Sequence, residues 1–449
     1  MPGGLQICRI AAVAWLVQAA ACALPPDGVE HDLAITATDR YRTEDGTALE
    51  RRLRQPLEVW SWTGGAWVPL EIEIGVEDAQ VTAAPPGPIY VRYGEAWIAT
   101  SAPAVDLGRV RLGRADLTPA PPGTALELML DGLTPWQPDH ELQLYSTGAA
   151  LWQLDSVAGA ELDATSVEAR IELQASMLAS RGDELWLGQM TTGVLAGAPY
   201  SALARSARTS PESIPGQAVA LTASLVDLGS SGFAVDYRTS EFDQVRLADQ
   251  PVITRSWYDV GVAALPGAAE HGHYAVAADL AIARVTDRSG GEVAGRLDFA
   301  DPFPASWTRM ATFVAWYPVT LDGHLVFDAV WTRDRAEALD GRPIEPLVSA
   351  PRQVRFDDGR VRWQPPERGI AAGYRVTLYV VNGAGVEVAG EILTTERELR
   401  IPPGMLPEGV PAGAVQVTAI AGPMDLGAAP FALGLPYGEA SFTRAITGP

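Results

Sequence analysis

The sequence contains no lysine: all 33 basic residues among its 449 are arginine, and Asn382 is its single asparagine. Lysine Schiff bases, the phosphate-loop lysine and Ser-Lys nucleophile pairs are therefore absent, because each needs an amine whose proton can leave near neutral pH. Cysteine is nearly missing as well. Its two copies, Cys8 and Cys22, both fall in the first 22 residues, so the later segments must be held by packing without disulfides. Positive charge is scarce: 55 acidic against 33 basic side chains leave a formal charge of -22, with no basic block. Such a field repels phosphate backbones and anionic lipid, so nucleic acid is not expected as a partner. Nucleophile elbows of the Gly-x-Ser-x-Gly type, His-Glu-x-x-His and calcium-loop spacings are absent, and Gly229-Ser230-Ser231-Gly232 has the spacing of a turn. No long apolar run able to span a bilayer core of ~30 Å follows the N-terminus, so no transmembrane helix is expected.

What is present begins with an export signature. Met1 to Ala23 carries one charge, Arg9, then the apolar run Ile10 to Val17, then small residues up to Ala23. This is the layout of a secretory signal peptide over 1–23. Two cuts fit. Signal peptidase could read Ala21-Cys22-Ala23 as small-x-small, or Cys22 could become a lipidated first residue, since Ala20-Ala21-Cys22 resembles a bacterial lipobox. The expected location is then outside the cytoplasm, as an outer-membrane lipoprotein with a lipid anchor, a periplasmic protein or a cell-surface protein. No cofactor is expected.

The 449-residue chain is 47% hydrophobic, and its length allows two to four domains with cores of their own. Residues 24–118 read as a small β-sandwich. Leu57, Val59, Trp60 and Trp62 lead to Thr63-Gly64-Gly65, and Trp67-Val68 restarts a strand, which predicts a hairpin. Leu70, Ile72, Ile74 and Val76 alternate with glutamates and predict a strand with one wet face. Pro85-Pro86-Gly87-Pro88 before Ile89 to Tyr93 resembles the entry to an exposed strand in small prealbumin-like sandwiches of surface proteins. Residues 119–342 form a β-rich region of one large or two small sandwiches, with alternating Leu126, Leu128 and Leu130, then Leu142 and Leu144, and strands at Phe313 to Tyr317 and His324 to Trp331. Two stretches have helical spacing: Val167 to Ala179, which fits a strand equally well, and Tyr200 to Ala207.

The last hundred residues show an ordered set of signals. Val354-Arg355-Phe356, the turn Asp357-Asp358-Gly359, Val361-Arg362-Trp363-Gln364-Pro365-Pro366, Tyr374-x-Val376-x-Leu378, the hairpin turn Asn382-Gly383, Leu406-Pro407 and alternating Val415, Val417 and Ala419 follow one another. The set over 347–446 resembles a fibronectin type III domain, which implies a buried Trp363 on its second strand. The resemblance places at Gly413 the position where that family carries a tyrosine. The expected fold class is all-β, with tandem β-sandwich domains ending in this module.

Candidate chemistry is sparse. His271 and His273 would share one side of a strand and could hold a metal with a third ligand, but Gly272 and Pro266-Gly267 make the segment read as a loop. His31, His140 and His324 read as isolated surface or edge residues. Asp298 and Asp301 are a conceivable glycosidase pair, although Asp-rich turns are usually caps. Trp60, Trp62 and Trp67 are candidates for a flat carbohydrate platform, in competition with a core role that the packing of a sandwich favours. The expected function is an exported cell-envelope or surface protein with a binding or structural role and no catalytic site of its own, its partner an unidentified protein or polysaccharide of the envelope. The rival readings are a secreted polysaccharide-acting hydrolase with an accessory fibronectin-like domain, and a non-catalytic carbohydrate-binding protein. Carboxylates from different strands in one cleft, with a raised pKa, would separate the hydrolase from the others.

Overall fold

The computed structural model describes residues 30 to 447 except for short stretches, the longest at 246–254, 266–279, 407–411 and 428–436. The signal region with Cys22, the histidines 271 and 273, and residues 229–231 lie outside the described residues. The chain is all-β, and the described residues include one α-helix, Thr239–Gln244. Thr38–Thr43, Gly46–Arg51 and Val110–Leu112 form a three-stranded sheet, and most of the other described strands form four successive packed sheet pairs. In the first, Leu33, Ile35, Ala79 and Val81 of one sheet meet Val59, Ile89, Val91 and Ile98 of the other. In the second, Leu126, Leu128, Leu130, Val167 and Ile171 meet Leu142, Leu144, Leu185 and Leu187. The third closes Val235, Tyr237 and Leu297 over Val260, Phe313 and Tyr317. In the fourth, a sheet of Arg352–Asp357, Arg360–Gln364 and Glu398–Arg400 covers one of Gly385–Thr394, Gly373–Asn382, Ala412–Ala421 and Tyr437–Thr447. Each pair obeys the two-residue period of a strand with one face inward.

The pairs are joined edge to edge by backbone hydrogen bonds. Ala198–Thr209 leaves the second sandwich and pairs with Leu280–Asp287 of the third, with Tyr200 opposite Val285. His324–Arg335 of the third pairs with Tyr437–Thr447 of the fourth, Val330 opposite Ala440. Gly385–Thr394 of the fourth pairs in parallel with Ala96–Thr100 of the first, Leu393 opposite Ile98. One 17-stranded sheet thus runs through all four sandwiches, from Leu151–Asp155 at one end to Ala66–Pro69 at the other. Edges that would otherwise offer unpaired N–H and C=O groups to other chains are consumed internally. The tip of the hairpin between Thr308–Leu321 and His324–Arg335 adds an apolar contact: Leu321 and Val326 pack on Val381 and Ala414 of the fourth sandwich.

Several expectations change. Tyr200 to Ala207 is a strand: its helical spacing comes from a bulge opposite Gln189 and Met190 that skips Ala204, so the buried Leu203 and Ser206 lie three apart. Val167–Glu172 is also a strand, with Val167 and Ile171 inward. The alternating run ending at Val76 is cut short because the Gly75 N–H donates to the Asp78 carbonyl at 2.8 Å; only Glu73–Ile74 pairs, and Ile74 and Val76 face solvent. Ile89–Tyr93 is buried, since it is a central strand flanked by Leu57–Thr63 and Ala96–Thr100. The hairpin at Gly64-Gly65 forms as expected, both glycines having positive φ (64° and 85°).

Candidate functional site

Tryptophans are the residues most able to present a binding surface here, so their burial locates the candidates. Strand alternation in Leu57–Thr63 points Val59 and Ser61 into the first sandwich, which sends Trp60 and Trp62 to its outer face. They reach neither that core nor a flat platform. Trp60 and Trp67 pack against the core shared by the later sandwiches, and the Trp62 and Trp67 planes meet at 72°. Trp67 is edge-on to Tyr90 at 4.8 Å, the Tyr90 hydroxyl accepts the Arg400 N–H at 2.8 Å, and the Arg400 guanidinium lies 4.2 Å from the centre of the Trp62 ring. The three candidate tryptophans thus form a seam between the first and fourth sandwiches.

A second seam joins the third and fourth. Arg375 holds Glu439 through two hydrogen bonds, 2.7 and 3.0 Å, while the Tyr437 hydroxyl and the Trp331 indole N–H (3.3 Å) donate to the same carboxylate. The nearby glutamate raises Arg375, and burial with the Glu439 charge pushes the Tyr437 hydroxyl well above its ordinary value of 10.0. Beside it, Asp328 accepts from Gln416 (3.0 Å) and Thr443 (2.8 Å), so polar residues that face outward from the fourth sandwich are buried and satisfied.

The third cluster joins the second and third sandwiches. Phe303 and Trp307 stack at 5° and press against Trp186 at 5.2 Å. Their loop is held by Arg309, which donates to Asp301 at 2.6 and 2.9 Å and to the Phe303 and Pro304 carbonyls. Asp301 is therefore a structural ion pair, and Asp298 is exposed beside Arg296, so the two aspartates do not face each other across a cleft as an acid and base would.

Among the described residues two carboxyls are raised, and neither lines this kind of cleft: burial pushes Glu141 up, against the favourable charge of Arg284. Burial pushes Asp183 up, against the Leu178 N–H and Arg114 that favour its charge; the residue is 1% exposed and its contacts are structural. His140 is also buried, contrary to a surface position: it is edge-on to Trp136, accepts the Gln137 N–H at 3.2 Å, and burial lowers its pKa. Among the described residues no group of three or more His, Cys, Asp or Glu is placed to hold a metal, and no helix is long and apolar enough to cross a membrane.

One aromatic remains open. Among the described residues Trp152 is the one exposed tryptophan, at 40%, and sequence reasoning passed over it because edge position is invisible in alternation. It lines a cleft of about 430 Å³ between the outermost strands of the second sandwich, Leu151–Asp155 and Val167–Glu172. Gln153, Arg170, Glu172 and Gln174 complete its polar lining. Arg170 is fixed by Glu172 at 2.9 Å and Glu127 at 3.2 Å. The geometry supplies a ring, two amides and a held guanidinium, but one carboxylate only.

No protein-family model matches the chain, and neither does any curated protein sequence.

Proposed function

We propose that this is an exported component of the cell envelope or cell surface with a binding or structural role and no catalytic centre of its own. The observation that carries the reading is the single sheet that runs through all four sandwiches. Hinged enzymes move domains across a cleft, whereas three ladder junctions resist such motion and suit a rigid body that holds a surface at a set distance. The fourth sandwich, which we assign to a fibronectin type III-like module over 347–446, supports this: its three-plus-four strand division and the buried Trp363 packed on Tyr374 agree with that layout. The carboxyl criterion also weighs against a hydrolase, because among the described residues the raised Asp183 lies in structural contacts, the raised Glu141 lies outside the open cleft, and that cleft is lined by Glu172 as its one carboxylate. Export rests on the first 23 residues, and Cys22 is the candidate for lipid attachment.

The test combines location with shape. Fractionation of native cells should place the protein outside the cytoplasm, with a mass lacking 21 to 23 N-terminal residues and, if Cys22 is acylated, carrying lipid. Small-angle scattering should fit one rigid body. A cytoplasmic full-length protein, or turnover of a polysaccharide by the purified chain, would overturn the reading.

A further inference from the structure

We infer that the cleft at the open edge of the second sandwich binds a neutral polysaccharide chain, with Trp152 as its stacking platform. The inference deepens the binding role proposed above and rests on it. Three observations carry it. The first is selective exposure: every other described tryptophan is buried or half-buried, and those that line seams meet protein rings or arginine, whereas Trp152 faces a cleft. Leaving an indole in water forfeits apolar burial, so a ring that stays open beside a cavity is a place where a ligand can recover it. The second is the shape and lining. A volume of about 430 Å³ is within the range of small-molecule sites, and the exposed amide of Gln174 offers both donors and an acceptor to hydroxyl pairs. Sugar rings present apolar C–H faces bordered by such hydroxyls, which suits an exposed indole on the wall of a partly polar cleft. The third is charge. Arg170 is matched by two glutamates, and the chain carries -22 overall, so a polyanionic chain would be repelled and a neutral one would not.

An extended peptide is the other class of occupant, because both strands beside the cleft are edges that could accept a further strand. Peptide addition would use backbone groups and would have little need of an exposed indole, so the glycan is the occupant we assign.

The experiment is affinity electrophoresis and calorimetry of the mature full chain against soluble β-glucan, xylan, starch and chitin oligosaccharides, with alginate as the polyanionic control. The wild type should bind at least one neutral glycan and not alginate. Trp152→Ala should weaken that binding by about tenfold or more, Trp152→Phe by less, and Trp62→Ala should leave it unchanged. An unchanged circular dichroism spectrum and melting temperature show that the Trp152 variants still fold. The inference is overturned if no neutral glycan binds, if binding survives Trp152→Ala, or if the cleft takes a peptide in a manner indifferent to Trp152. In each of those outcomes an extracytoplasmic location and a rigid shape would still stand, so failure here is distinguishable from failure of the envelope assignment.

Discussion

Glu439 and Glu172 each bind an arginine in a region that also holds a tryptophan, yet the two regions do opposite work. At the seam between the third and fourth sandwiches, Glu439 is 9% exposed and receives Arg375, Tyr437 and Trp331 at once. At the edge of the second sandwich, Glu172 is 61% exposed and its partner Arg170 is 49% exposed, in the cleft that Trp152 lines. The ingredients are alike, and burial decides their use. Enclosed, the charges lose water as a competitor, and each must be matched by fixed hydrogen bonds if the fold is to survive. In the open, water screens the pair, so it adds little stability and remains available to a ligand. Rigid closure and binding competence are therefore divided between two places on different sheets of the molecule.

The largest effect should come from a ring closed on every side. Trp363 is 5% exposed and packs edge-on to Tyr374 at 5.2 Å, so Trp363→Ala should cost about 3 to 5 kcal/mol. Its neighbour Gln364 is exposed on the opposite face, and Gln364→Ala should cost about 0.5 kcal/mol or less. Urea unfolding of the full chain checks both. Similar, small losses at the two positions would remove the fourth sandwich as the anchor of the seam and with it half of the comparison.

Next in size is Glu439→Gln. The change keeps the volume but leaves Arg375 without its carboxylate, and losing one partner of a pair that is mostly enclosed should cost about 2 to 4 kcal/mol. The loss should appear as separation of the third and fourth sandwiches, read as new hydrogen exchange at His324–Arg335 and Tyr437–Thr447, which form the junction ladder.

Smaller, and opposite in sign of pH, are two titrations. Burial lowers His140, so the unfolded chain binds the proton more readily, and the second sandwich should lose stability as pH falls below 6.5, the ordinary histidine value. Tyr437 is raised, so the unfolded chain releases its proton first, and the seam should lose stability as pH rises above 10.0. Exchange rates resolved by segment between pH 5 and 11 test this. His140→Gln should reduce the acid limb and leave the alkaline one, and Tyr437→Phe should reduce the alkaline limb at the seam, while Tyr374 and Tyr379 of the fourth sandwich, also raised by burial, keep the remainder; a crossed result would mean that the two regions are not energetically separate.

Legibility in the sequence followed the same division. The fourth sandwich was readable because Val354, Val361, Trp363, Val376 and Leu378 alternate between well-marked turns, and local alternation is enough when one strand has one inner face. Strands shared between sandwiches were harder. Ala198–Thr209 changes neighbours along its length and carries a bulge, so its burial mimics a helical period. The helix Thr239–Gln244 is too short to show any period, and it is held by one buried ring, Phe242, stacked on Phe313 at 3.8 Å. Glu439 occupies a position that alternation marks as wet, and it is covered only because a neighbouring sandwich pairs along that edge, which leaves its partner Arg375 half-buried. Trp152 shows the converse. Nothing in Leu151-Trp152-Gln153-Leu154 tells an edge strand from a central one, because edge position is a property of the whole sheet.

The smallest expected effect is the sharpest test, because it repeats the seam experiment in the open. Glu172→Gln removes the same charge from the same kind of pair as Glu439→Gln, again with the volume kept. Glu172 and Arg170 are both largely exposed, and a surface ion pair contributes about 0 to 1 kcal/mol, so the change should cost roughly 0.5 kcal/mol or less. Raising ionic strength from ~0.05 to ~0.5 M should erase even that, since exposed pairs are screened at such salt, whereas the Glu439 variant should keep its deficit. The urea midpoints of both variants at the two salt concentrations give four numbers. If Glu172→Gln proves as costly as Glu439→Gln, or if salt closes the gap at both, then burial does not divide the two sites and the cleft belongs to the structural framework. If only the seam variant is costly and salt-resistant, Arg170 and Glu172 are free of structural duty, which is the condition a ligand site at Trp152 requires.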